Sequence, residues 1–577
     1  MVLMILTYLL LLCSFSTATA LGPKVIKTSY GKLQGITYLS DPGNPQYIFK
    51  SIPFAKPPVG DLRFALPRDP EPWNDIRDAT EYSAACMSNF TMTRFRQKKI
   101  SEDCLYLNIF TSEKCLTKKC AVIVYFHEGA YRVDSAVMFP DQFILERYVS
   151  EDVIFVLPAY RLGVFGQLYF GRNGELSENL LVHDAVKALH YVHNEISNFG
   201  GNPKRVTLMG HSAGATLIFA LGFSKLVDPN RVLFQQIISF SAHGEFGFYD
   251  LAIDNSFELA QKLGCISHEV ITDRSRLNIT DTLKCLRKID KIDVMKTQSE
   301  IVDADRINFK SIIRGAPFMV LNGKFEDLKA NPPARNILCG TTELEFRNDQ
   351  QKMYAAGTFM DFENPRAVVN HYYELVKEKN LLDPLSSGVY ISARTYSKAM
   401  SDAGANAYIY ETRQKPSSEH TTDMQYFIGI HREKNHTSDM DILDSFYSKM
   451  LVNFTKTGVP SPELEKFDAK RMNYLELKVD SELNEGPVSK ERYHDEETKF
   501  WFGPVTEYDK HLSKLSEGNE IRNSVTVANE KSEGTSIKDI FDKWWFYLIV
   551  LTVFALIILA FVCRRKSKND EEISLLR

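Results

Sequence analysis

The sequence predicts an α/β domain followed by a single transmembrane helix, and three observations support this prediction. From about Leu21 to Lys510, apolar segments of strand length alternate with helical patterns, as in α/β folds. The pentapeptide Gly-His-Ser-Ala-Gly at 210–214 directly follows one such segment. Near the C-terminus, residues 544–563 form an uncharged stretch of 20 residues, which is the length of a helix that crosses a bilayer core.

The composition is that of a globular protein with no general attraction for nucleic acid. Of 577 residues, 44% are apolar and 25% are charged, so a large core can be buried and disorder is excluded as the main state. The formal net charge is −4 and the main body shows no basic patch, so we expect no nucleic-acid partner. Neither a His-Glu-x-x-His motif nor a Gly-rich phosphate loop with Lys is present, so no metal or other cofactor is predicted.

Residues 1–20 are predicted to be a secretory signal peptide. An apolar run from Leu3 to Cys13 is followed by the small residues Ala18-Thr19-Ala20, which fit a cleavage site. The start lacks Lys and Arg, and the alternative is a buried N-terminal helix.

The C-terminal region predicts a type I membrane topology. Residues 512–543 are polar and are interpreted as a luminal or extracellular stalk. The uncharged stretch 544–563 starts with aromatic residues that favour the membrane interface, and Arg-Arg-Lys follows it, which predicts that the tail 564–577 is cytosolic. The main domain, 21–511, is then luminal or extracellular.

The cytosolic tail ends in a pattern typical of a dileucine sorting signal. Glu571 stands four residues before the pair Leu575 and Leu576, so one charge and one apolar contact are available to a clathrin adaptor. We therefore expect the protein at the plasma membrane, or in endosomes or lysosome-related organelles.

Cysteines and glycosylation sequons agree with an oxidising, luminal compartment. Local spacing suggests the pairs Cys86–Cys104 and Cys265–Cys285, leaves Cys115–Cys120 open, and leaves Cys339 as a small buried apolar residue. Sequons begin at Asn89, Asn278, Asn435 and Asn453. All four precede the predicted membrane span, as glycosylation in the lumen requires.

Six apolar segments are predicted to be strands of the main domain. They are residues 121–126, 153–157, 206–209, 234–239, 336–339 and 408–410. The first is continuous and β-branched, which is typical of a strand covered on both faces. Residues 181–196 have a helical pattern and precede the third predicted strand.

The pentapeptide at 210–214 predicts a nucleophilic serine. A strand leads into it and an apolar helical run follows from Thr216, which is the context of a nucleophile turn. Glycines two residues before and after Ser212 avoid a clash in so tight a turn. A serine needs a histidine base and an acid that orients this base, but spacing alone leaves many downstream candidates.

Several long motifs resemble those of type-B carboxylesterases in the cholinesterase–carboxylesterase family. They are PFAKPPVGDLRF at 53–64, SEDCLYLNI at 101–109, YRLGVFG at 160–166 and NFGGNPKR at 198–205. The resemblance extends through nearly the whole luminal domain. It implies an α/β-hydrolase fold, with a mixed, mostly parallel central sheet covered by helices on both faces. It also supports the pairs Cys86–Cys104 and Cys265–Cys285.

The resemblance assigns the serine and the acid of a catalytic triad. The family serine falls on Ser212. The family acid ends a Gly-Thr-Asn-x-x-Glu segment, and here the sequence from Gly340 is Gly-Thr-Thr-Glu-Leu-Glu. The spacing from Gly340 favours Glu345 over Glu343.

The resemblance assigns the base to His420. The family histidine precedes x-x-Asp/Glu-hydrophobic-x-Tyr, and the residues after His420 fit at each position, whereas those after His431 and His436 do not. His420 would then take the proton of the serine hydroxyl, and the Glu would hold its imidazole.

The loop that forms the oxyanion hole in the family departs from its usual sequence. The family has His/Tyr-Gly-Gly-Gly/Ala-Phe, and residues 127–131 here are His-Glu-Gly-Ala-Tyr. By position, the backbone N–H groups of Gly129 and Ala130 would act with that of Ala213. Glu128 replaces a glycine, and its carboxylate is expected either to alter the charge preference for substrates or to face solvent.

A second departure directly precedes the serine. His211 replaces the family's Glu, and we expect it to be buried with a structural role.

The resulting functional hypothesis is a serine carboxylic-ester hydrolase that acts on small-molecule esters through an acyl-enzyme. A cholinesterase is disfavoured, because the segment between Cys86 and Cys104 lacks a Trp for cation–π contact with choline. One alternative is an acyltransferase that uses the same triad to esterify or amidate small-molecule glycosides in a lysosome-related organelle. The other is a neuroligin-like adhesion protein, a class that generally lacks the nucleophilic serine.

Overall fold

The computed structural model describes most of the main domain. The described residues are 22–39, 43–88, 99–171, 176–244, 246–247, 249–303, 309, 312–320, 323–346, 356–379, 387–432 and 436–515. The predicted signal peptide, membrane span and cytosolic tail lie outside these ranges, as do the sequons at Asn89 and Asn435 and most of the predicted stalk.

The main domain is built on one large sheet. The strands are β1 (Lys24–Lys27), β2 (Lys32–Tyr38), β3 (Gln46–Pro53), β4 (Ile76–Asp78), β5 (Ala85–Cys86), β6 (Ile100–Ser101), β7 (Tyr106–Ser112), β8 (Cys120–Phe126), β9 (Val153–Pro158), β10 (Gly201–His211), β11 (Gln236–Phe240), β12 (Phe246–Gly247), β13 (Ile312–Ile313), β14 (Asn336–Thr342), β15 (Ala407–Thr412), β16 (Tyr474–Leu477) and β17 (Val488–Lys490). Two short pairs, β5–β6 and β12–β13, stand apart from it.

The large sheet is mixed and mostly parallel, as predicted. Its strand order is β1-β2-β3-β7-β9-β8-β10-β11-β14-β15-β16-β17, with β4 paired to β2. The strands from β9 to β16 in this order run parallel to their neighbours, whereas the pairs that involve β1, β3, β7 and β17 are antiparallel. Strands β8 and β9 are buried at every residue, which explains their continuous apolar sequences.

Helices cover this sheet and also form a separate layer. They are α1 (Glu113–Lys118), α2 (Asp141–Ile144), α3 (Gly163–Gln167), α4 (Leu180–Glu195), α5 (Ala213–Phe223), α6 (Tyr249–Lys262), α7 (His268–Thr272), α8 (Ile279–Lys288), α9 (Lys291–Asp303), α10 (Phe325–Lys329), α11 (Pro365–Lys379), α12 (Ser387–Asp402), α13 (Met424–Phe427), α14 (Ser438–Thr457) and α15 (Asp495–Phe500). Helices α4, α5, α12 and α14 pack on the central parallel strands. Helices α6, α8 and α9 share a second apolar cluster with Phe64 and Phe165.

All six predicted strands exist, with shifted ends. The segment predicted at 234–239 forms a strand only from Gln236, because the backbone N–H of Phe234 is held by the Asp228 carboxylate in a turn. The helical run predicted from Thr216 lies within a helix that begins at Ala213, directly after the serine.

Two buried ion pairs join motifs that are distant in sequence. The Arg63 guanidinium donates to both carboxylate oxygens of Glu102, at 2.5 and 2.6 Å, and to the carbonyl of Leu286 at the end of α8. Arg161 makes a similar two-point contact with Asp184 in α4, at 2.7 Å for both bonds. Such bidentate pairs fix geometry as well as charge, so they hold the N-terminal segment and α8 to the sheet.

Three disulfides are present. They join Cys86 to Cys104, Cys115 to Cys120 and Cys265 to Cys285, so the pairing that the sequence left open forms as well. Cys339 on β14 is unpaired and buried, as predicted. The sequons at Asn278 and Asn453 are exposed on the surface, where a glycan can be attached.

The structure divides near the end of the main domain. One compact unit ends at Asp509, and the described residues 510–515 fall outside it. In the described ranges, no helix has both the length and the apolar character that crossing a membrane requires.

Candidate active site

The candidate nucleophile lies on a sharp turn between β10 and α5. Ser212 has φ 53° and ψ −117°, a conformation that costs energy for a non-glycine residue. Its backbone N–H donates to the carbonyl of Phe240 at the end of β11, at 2.9 Å. The turn is thus held by the neighbouring strand, and its hydroxyl stands at the carboxyl edge of the sheet.

Both glycines of the pentapeptide are required by close backbone contacts. A Cβ atom on Gly210 would lie 2.7 Å from the backbone of Gly214. A Cβ on Gly214 would lie 2.1 Å from the carbonyl oxygen of Phe126 and 2.6 Å from that of His127. The clash predicted from the sequence is confirmed, and the second glycine also lets α5 approach the end of β8.

The structure brings the three predicted triad side chains into one hydrogen-bonded chain. His420 Nε2 lies 3.1 Å from Ser212 Oγ, and His420 Nδ1 lies 2.7 Å from Glu345 Oε2. All three side chains are largely buried, with His420 retaining 14% exposure. They follow β10, β14 and β15, three strands whose carboxyl ends meet at one edge of the sheet, where α/β proteins bind their ligands.

The loops that carry the acid and the histidine are joined by backbone hydrogen bonds. The N–H of Leu344 donates to the carbonyl of Ser418 at 2.9 Å, and Leu344 pairs with Glu419 in an isolated parallel bridge. The segment from Thr412 to His420 therefore extends the pairing of β14 and β15 beyond the sheet. This arrangement sets the distance between the two side chains.

The Glu345 carboxylate is held from both sides. Its Oε1 accepts from the Ser241 hydroxyl at 2.6 Å and from the N–H of Thr342 at 2.8 Å, while Oε2 contacts the histidine. Burial raises the pKa of Glu345 to about 7, and the hydrogen bonds from Ser241 and Thr342 oppose this rise. Above that pH the carboxylate form, which can orient an imidazole N–H, predominates.

The competing residues lie elsewhere. Glu343 is 40% exposed and contacts Arg413, His431 is exposed, and His436 contacts Asp441 at 3.0 Å. Among these candidates, Glu345 and His420 are the ones that lie in the hydrogen-bonded chain with Ser212.

The predicted oxyanion loop has an unusual backbone. Gly129, Ala130 and Tyr131 follow each other with φ of 101°, 52° and 59°. The carbonyl of Gly129 accepts from the N–H groups of Arg132 and Val133, so local hydrogen bonds hold the turn in its conformation. A Cβ on Gly129 would lie 2.2 Å from the carbonyl oxygen of Val133, and only glycine fits there.

A cavity of about 260 Å³ joins the loop to the triad. It is lined by Glu128, Gly129, Ala130, Tyr131, Val133, Ser212, Ala213, Thr216, His243, Phe346, His420 and Thr421. All three predicted oxyanion residues thus border the same cavity as the serine and the histidine. As the first residue of α5, Ala213 has an N–H that the helix itself leaves unbonded.

Comparison with known proteins identifies the family. The profile of the carboxylesterase family matches residues 22–386. The chain belongs to the carboxylesterase family.

Relatives within this family include proteins that match over different lengths. Gut esterase 1 of Caenorhabditis elegans is 33% identical over 56% of this chain and 54% of its own length, so the chain spans about half of that protein. Carboxylesterase 1C of Rattus norvegicus is 28% identical over 85% of this chain and 96% of its own length. Carboxylesterase 5A of Homo sapiens is 26% identical over 84% of this chain and 90% of its own length. The predicted resemblance is confirmed.

Glu128 is the main departure from the family pattern at this cavity. The side chain is buried, so the alternative that it faces solvent was wrong. Its Oε2 accepts from the Tyr125 hydroxyl at 2.8 Å, whereas Oε1 has no hydrogen-bond partner among the described residues. Burial, reinforced by the nearby Asp134 carboxylate, raises the pKa of Glu128 to about 8. Burial and the neighbouring carboxyl group of Asp134 thus favour the neutral acid form of Glu128.

Two further histidines near the site are buried, and burial favours their neutral form. His127 stacks on Tyr160 at 4.4 Å, and burial lowers its pKa to about 4. His211 is fully buried beside the ring of His420, at 4.8 Å between centroids. Burial and the neighbouring His420 hold the pKa of His211 well below its usual range. The expectation that His211 is buried is confirmed.

Sequence reasoning missed one residue of this site. His243 Nε2 lies 3.1 Å from Ser212 Oγ, and only 5% of the residue is exposed. It follows β11, the strand between those that carry the serine and the acid. A search of the segments after each strand end could have found it, whereas the motifs quoted above could not, because none of them covers this position.

Within the described ranges, no group of three or more His, Cys, Asp or Glu side chains is arranged to hold a metal ion.

Proposed function

We propose that this carboxylesterase-family protein hydrolyses small-molecule carboxylic esters through a Ser212–His420–Glu345 triad and an acyl-enzyme. The observation that carries the proposal is the hydrogen-bonded chain from Ser212 Oγ through both ring nitrogens of His420 to Glu345. Membership of the family supports ester hydrolysis as the reaction. The names of its relatives, gut esterase 1 and carboxylesterase 1C, support it as well.

Acylation follows from the proton positions that this chain permits. With Glu345 ionised, His420 Nδ1 donates to the carboxylate, so Nε2 is unprotonated and accepts the serine proton. As Ser212 Oγ attacks the ester carbon, the proton moves to His420 Nε2. It is then given to the leaving alcohol, and the carboxylate stabilises the imidazolium that forms between these steps.

The oxyanion of the tetrahedral intermediate is assigned to three backbone N–H groups. Those of Gly129, Ala130 and Ala213 border the cavity beside Ser212, and the N–H at the start of α5 benefits from the positive end of the helix. Since backbone groups supply this stabilisation, the replacement of a family glycine by Glu128 is compatible with it.

Deacylation uses the same steps, with water as the nucleophile in place of the serine hydroxyl. His420 takes a proton from water, which attacks the acyl carbon, and the serine oxygen leaves with that proton. The cavity of about 260 Å³ suits a small acyl or alcohol group. A neutral Glu128 in its wall is compatible with uncharged substrates, whereas an ionised Glu128 would repel anionic ones.

We also propose a type I membrane topology, with the catalytic domain on the luminal or extracellular side. The support is the sequence: the signal-like residues 1–20, the uncharged stretch 544–563 and the basic residues after it. In the tail, Glu571, Leu575 and Leu576 are proposed to contact a clathrin adaptor. Protease protection of the tail in sealed microsomes tests the topology, since a cytosolic tail is digested while the main domain is protected.

The test of the catalytic proposal is active-site labelling of the full-length chain with a fluorophosphonate, followed by nitrophenyl ester hydrolysis. We expect labelling of the parent and none of Ser212→Ala, whose turnover should fall roughly 10⁶-fold. Ser224→Ala removes a buried hydroxyl that donates to the carbonyl of Phe318, away from the site, and is the matched control. A folded parent that neither labels nor hydrolyses esters between pH 5 and 9 would exclude the esterase and favour a binding role.

A further inference from the structure

The nucleophilic hydroxyl contacts two histidines rather than one. His420 Nε2 and His243 Nε2 each lie 3.1 Å from Ser212 Oγ. The two imidazole rings lie beside each other, with centroids 5.2 Å apart. A serine hydroxyl has one proton to donate and can accept through its lone pairs, so it can donate to only one of these nitrogens.

The hydrogen-bond directions around Ser212 are then determined. With Glu345 ionised, His420 Nδ1 carries a proton and Nε2 accepts the hydroxyl proton. For both 3.1 Å contacts to be hydrogen bonds, His243 Nε2 must carry a proton and donate it to Oγ. His243 is therefore a donor to the reacting atom, whereas His420 is the base.

The position of His243 is fixed by its neighbours in the chain. Ser241 donates its backbone N–H to the carbonyl of Gly340 at 2.8 Å, and its hydroxyl bonds Glu345. The carbonyl of Ala242 accepts from the Ser392 hydroxyl of α12. The His243 ring packs on Phe346, with centroids 4.7 Å apart. The segment after β11 therefore holds the triad acid with one side chain and reaches the nucleophile with another.

We propose that His243 is a further catalytic residue, a hydrogen-bond donor to Ser212 Oγ that accelerates deacylation more than acylation. This inference rests on the proposed triad mechanism. In the free enzyme the donor bond to the hydroxyl oxygen already exists, so it gains little during acylation. In the acyl-enzyme Oγ is an ester oxygen, which is a weak acceptor, and negative charge develops on it as it leaves. Only interactions that strengthen toward the transition state accelerate a step.

The proton balance of deacylation is unchanged by this donor. Water loses a proton to His420 and forms a bond to the acyl carbon. The bond between that carbon and Oγ then breaks, Oγ takes the proton from the His420 imidazolium, and a carboxylic acid is released. His243 keeps its own proton throughout and stabilises Oγ by donation alone.

The experiment separates the two steps in the full-length chain by rapid-mixing kinetics with a nitrophenyl ester, in the parent, His243→Phe and His243→Gln. Phe keeps the bulk of the ring without a donor, whereas the Gln amide places an N–H close to the position of Nε2. We expect His243→Phe to deacylate roughly 10- to 100-fold more slowly, with acylation changed less than about threefold. Its acyl-enzyme should accumulate as a burst and as an added acyl mass on the protein. His243→Gln should recover most of the deacylation rate.

Other outcomes would overturn the inference. Equal loss of acylation and deacylation in both variants would indicate a packing role, and parent-like kinetics in His243→Phe would indicate no role. If His243→Phe does not fold, His243→Asn gives the same test, because its shorter amide cannot reach Oγ. Failure of the triad proposal is seen separately, as a folded parent that does not label with fluorophosphonate.

Discussion

Glu345 and Glu128 are both buried close to the candidate nucleophile, but they differ in the number of hydrogen-bond donors around their carboxyl groups. Glu345 accepts three hydrogen bonds, from Ser241, Thr342 and His420. Glu128 accepts one, from Tyr125, and its second oxygen has no partner among the described residues. Each pKa is raised by burial, to about 7 for Glu345 and about 8 for Glu128.

The difference lies in what each environment stabilises. Donors aimed at Glu345 favour its charged form, which a triad acid must supply. The region of Glu128 offers one hydroxyl and a second acid, Asp134, whose own pKa burial raises to about 6. Such surroundings favour the neutral form. Burial alone thus leaves a carboxyl group's role open, and the donors around it decide the role.

The largest effect is expected for Glu345→Gln. The amide keeps the size of the side chain but cannot stabilise an imidazolium or fix the tautomer of His420, so turnover of a nitrophenyl ester should fall roughly 10⁴-fold. Glu343→Gln is the matched control, because Glu343 is 40% exposed and contacts Arg413. Comparable losses in both variants would contradict the assignment of the acid.

The next largest effect is expected for Gly129→Ala in the oxyanion loop. A Cβ atom there would lie 2.2 Å from the carbonyl oxygen of Val133, at a residue with φ 101°, so the loop must move. Loss of one oxyanion donor lowers turnover roughly 10²- to 10³-fold, and we expect a decrease of that size in steady-state assays. Gly486→Ala has open space around its Cβ position and should have parent-like activity. A parent-like Gly129→Ala would exclude this loop as the oxyanion hole.

Ser241→Ala is expected to act through the pKa of Glu345. The Ser241 hydroxyl stabilises the carboxylate and thereby lowers its pKa, so its removal should raise that pKa further. The acid limb of the pH–activity profile should then move upward by roughly one pH unit. Activity should fall about tenfold at pH 6 and little at pH 9. In the control Ser224→Ala, the acid limb of the pH–activity profile should keep its position. A parent-like acid limb in Ser241→Ala would show that the Ser241 hydroxyl does not lower the pKa of Glu345.

Glu128→Gln should change turnover least and alter stability instead. The folded chain holds Glu128 neutral up to about pH 8, whereas the unfolded chain ionises it near pH 4.3. Between these two pH values the unfolded chain carries an ionised Glu128 and the folded chain a neutral one. The free energy of unfolding of the parent therefore falls by about 1.4 kcal/mol for each unit by which the pH rises. The variant does not ionise, so its stability advantage over the parent should grow from pH 5 to pH 8.

Unfolding curves of both proteins at several pH values measure this advantage. An exposed substitution, Glu482→Gln, serves as the control and should give a constant difference. A difference between parent and Glu128→Gln that is independent of pH would show that Glu128 is ionised in the folded protein.

The fold and the candidate nucleophile were accessible from sequence because local patterns specify them. The apolar run of β8 predicts a strand covered on both faces, because such a strand needs continuous apolar residues. The glycines around Ser212 predict a tight turn, because side chains at their positions would clash. Glu345 and His420 could not be selected by spacing, and the family resemblance supplied the choice.

The remainder of the site depends on contacts between distant segments. His243 lies 31 residues from Ser212 in sequence, and the residues that flank it do not predict the contact. The burial of Glu128 likewise depends on how Tyr125 and the loop pack. These are tertiary properties, and the residues that realise them carry no motif of their own.

The reactivity of the buried Cys339 thiol can be used to measure how often the region around the site unfolds locally. It lies on β14, six residues before Glu345, it is 1% exposed, and burial raises its pKa to about 12. Alkylating reagents act on thiolates, so they can modify Cys339 only when the centre of the sheet separates. The other six cysteines of the described chain are locked in disulfides. Cys13 and Cys563 lie outside the described residues, so alkylation must be located at Cys339 by mass spectrometry. Its rate at that site under native conditions then reports local unfolding around Glu345.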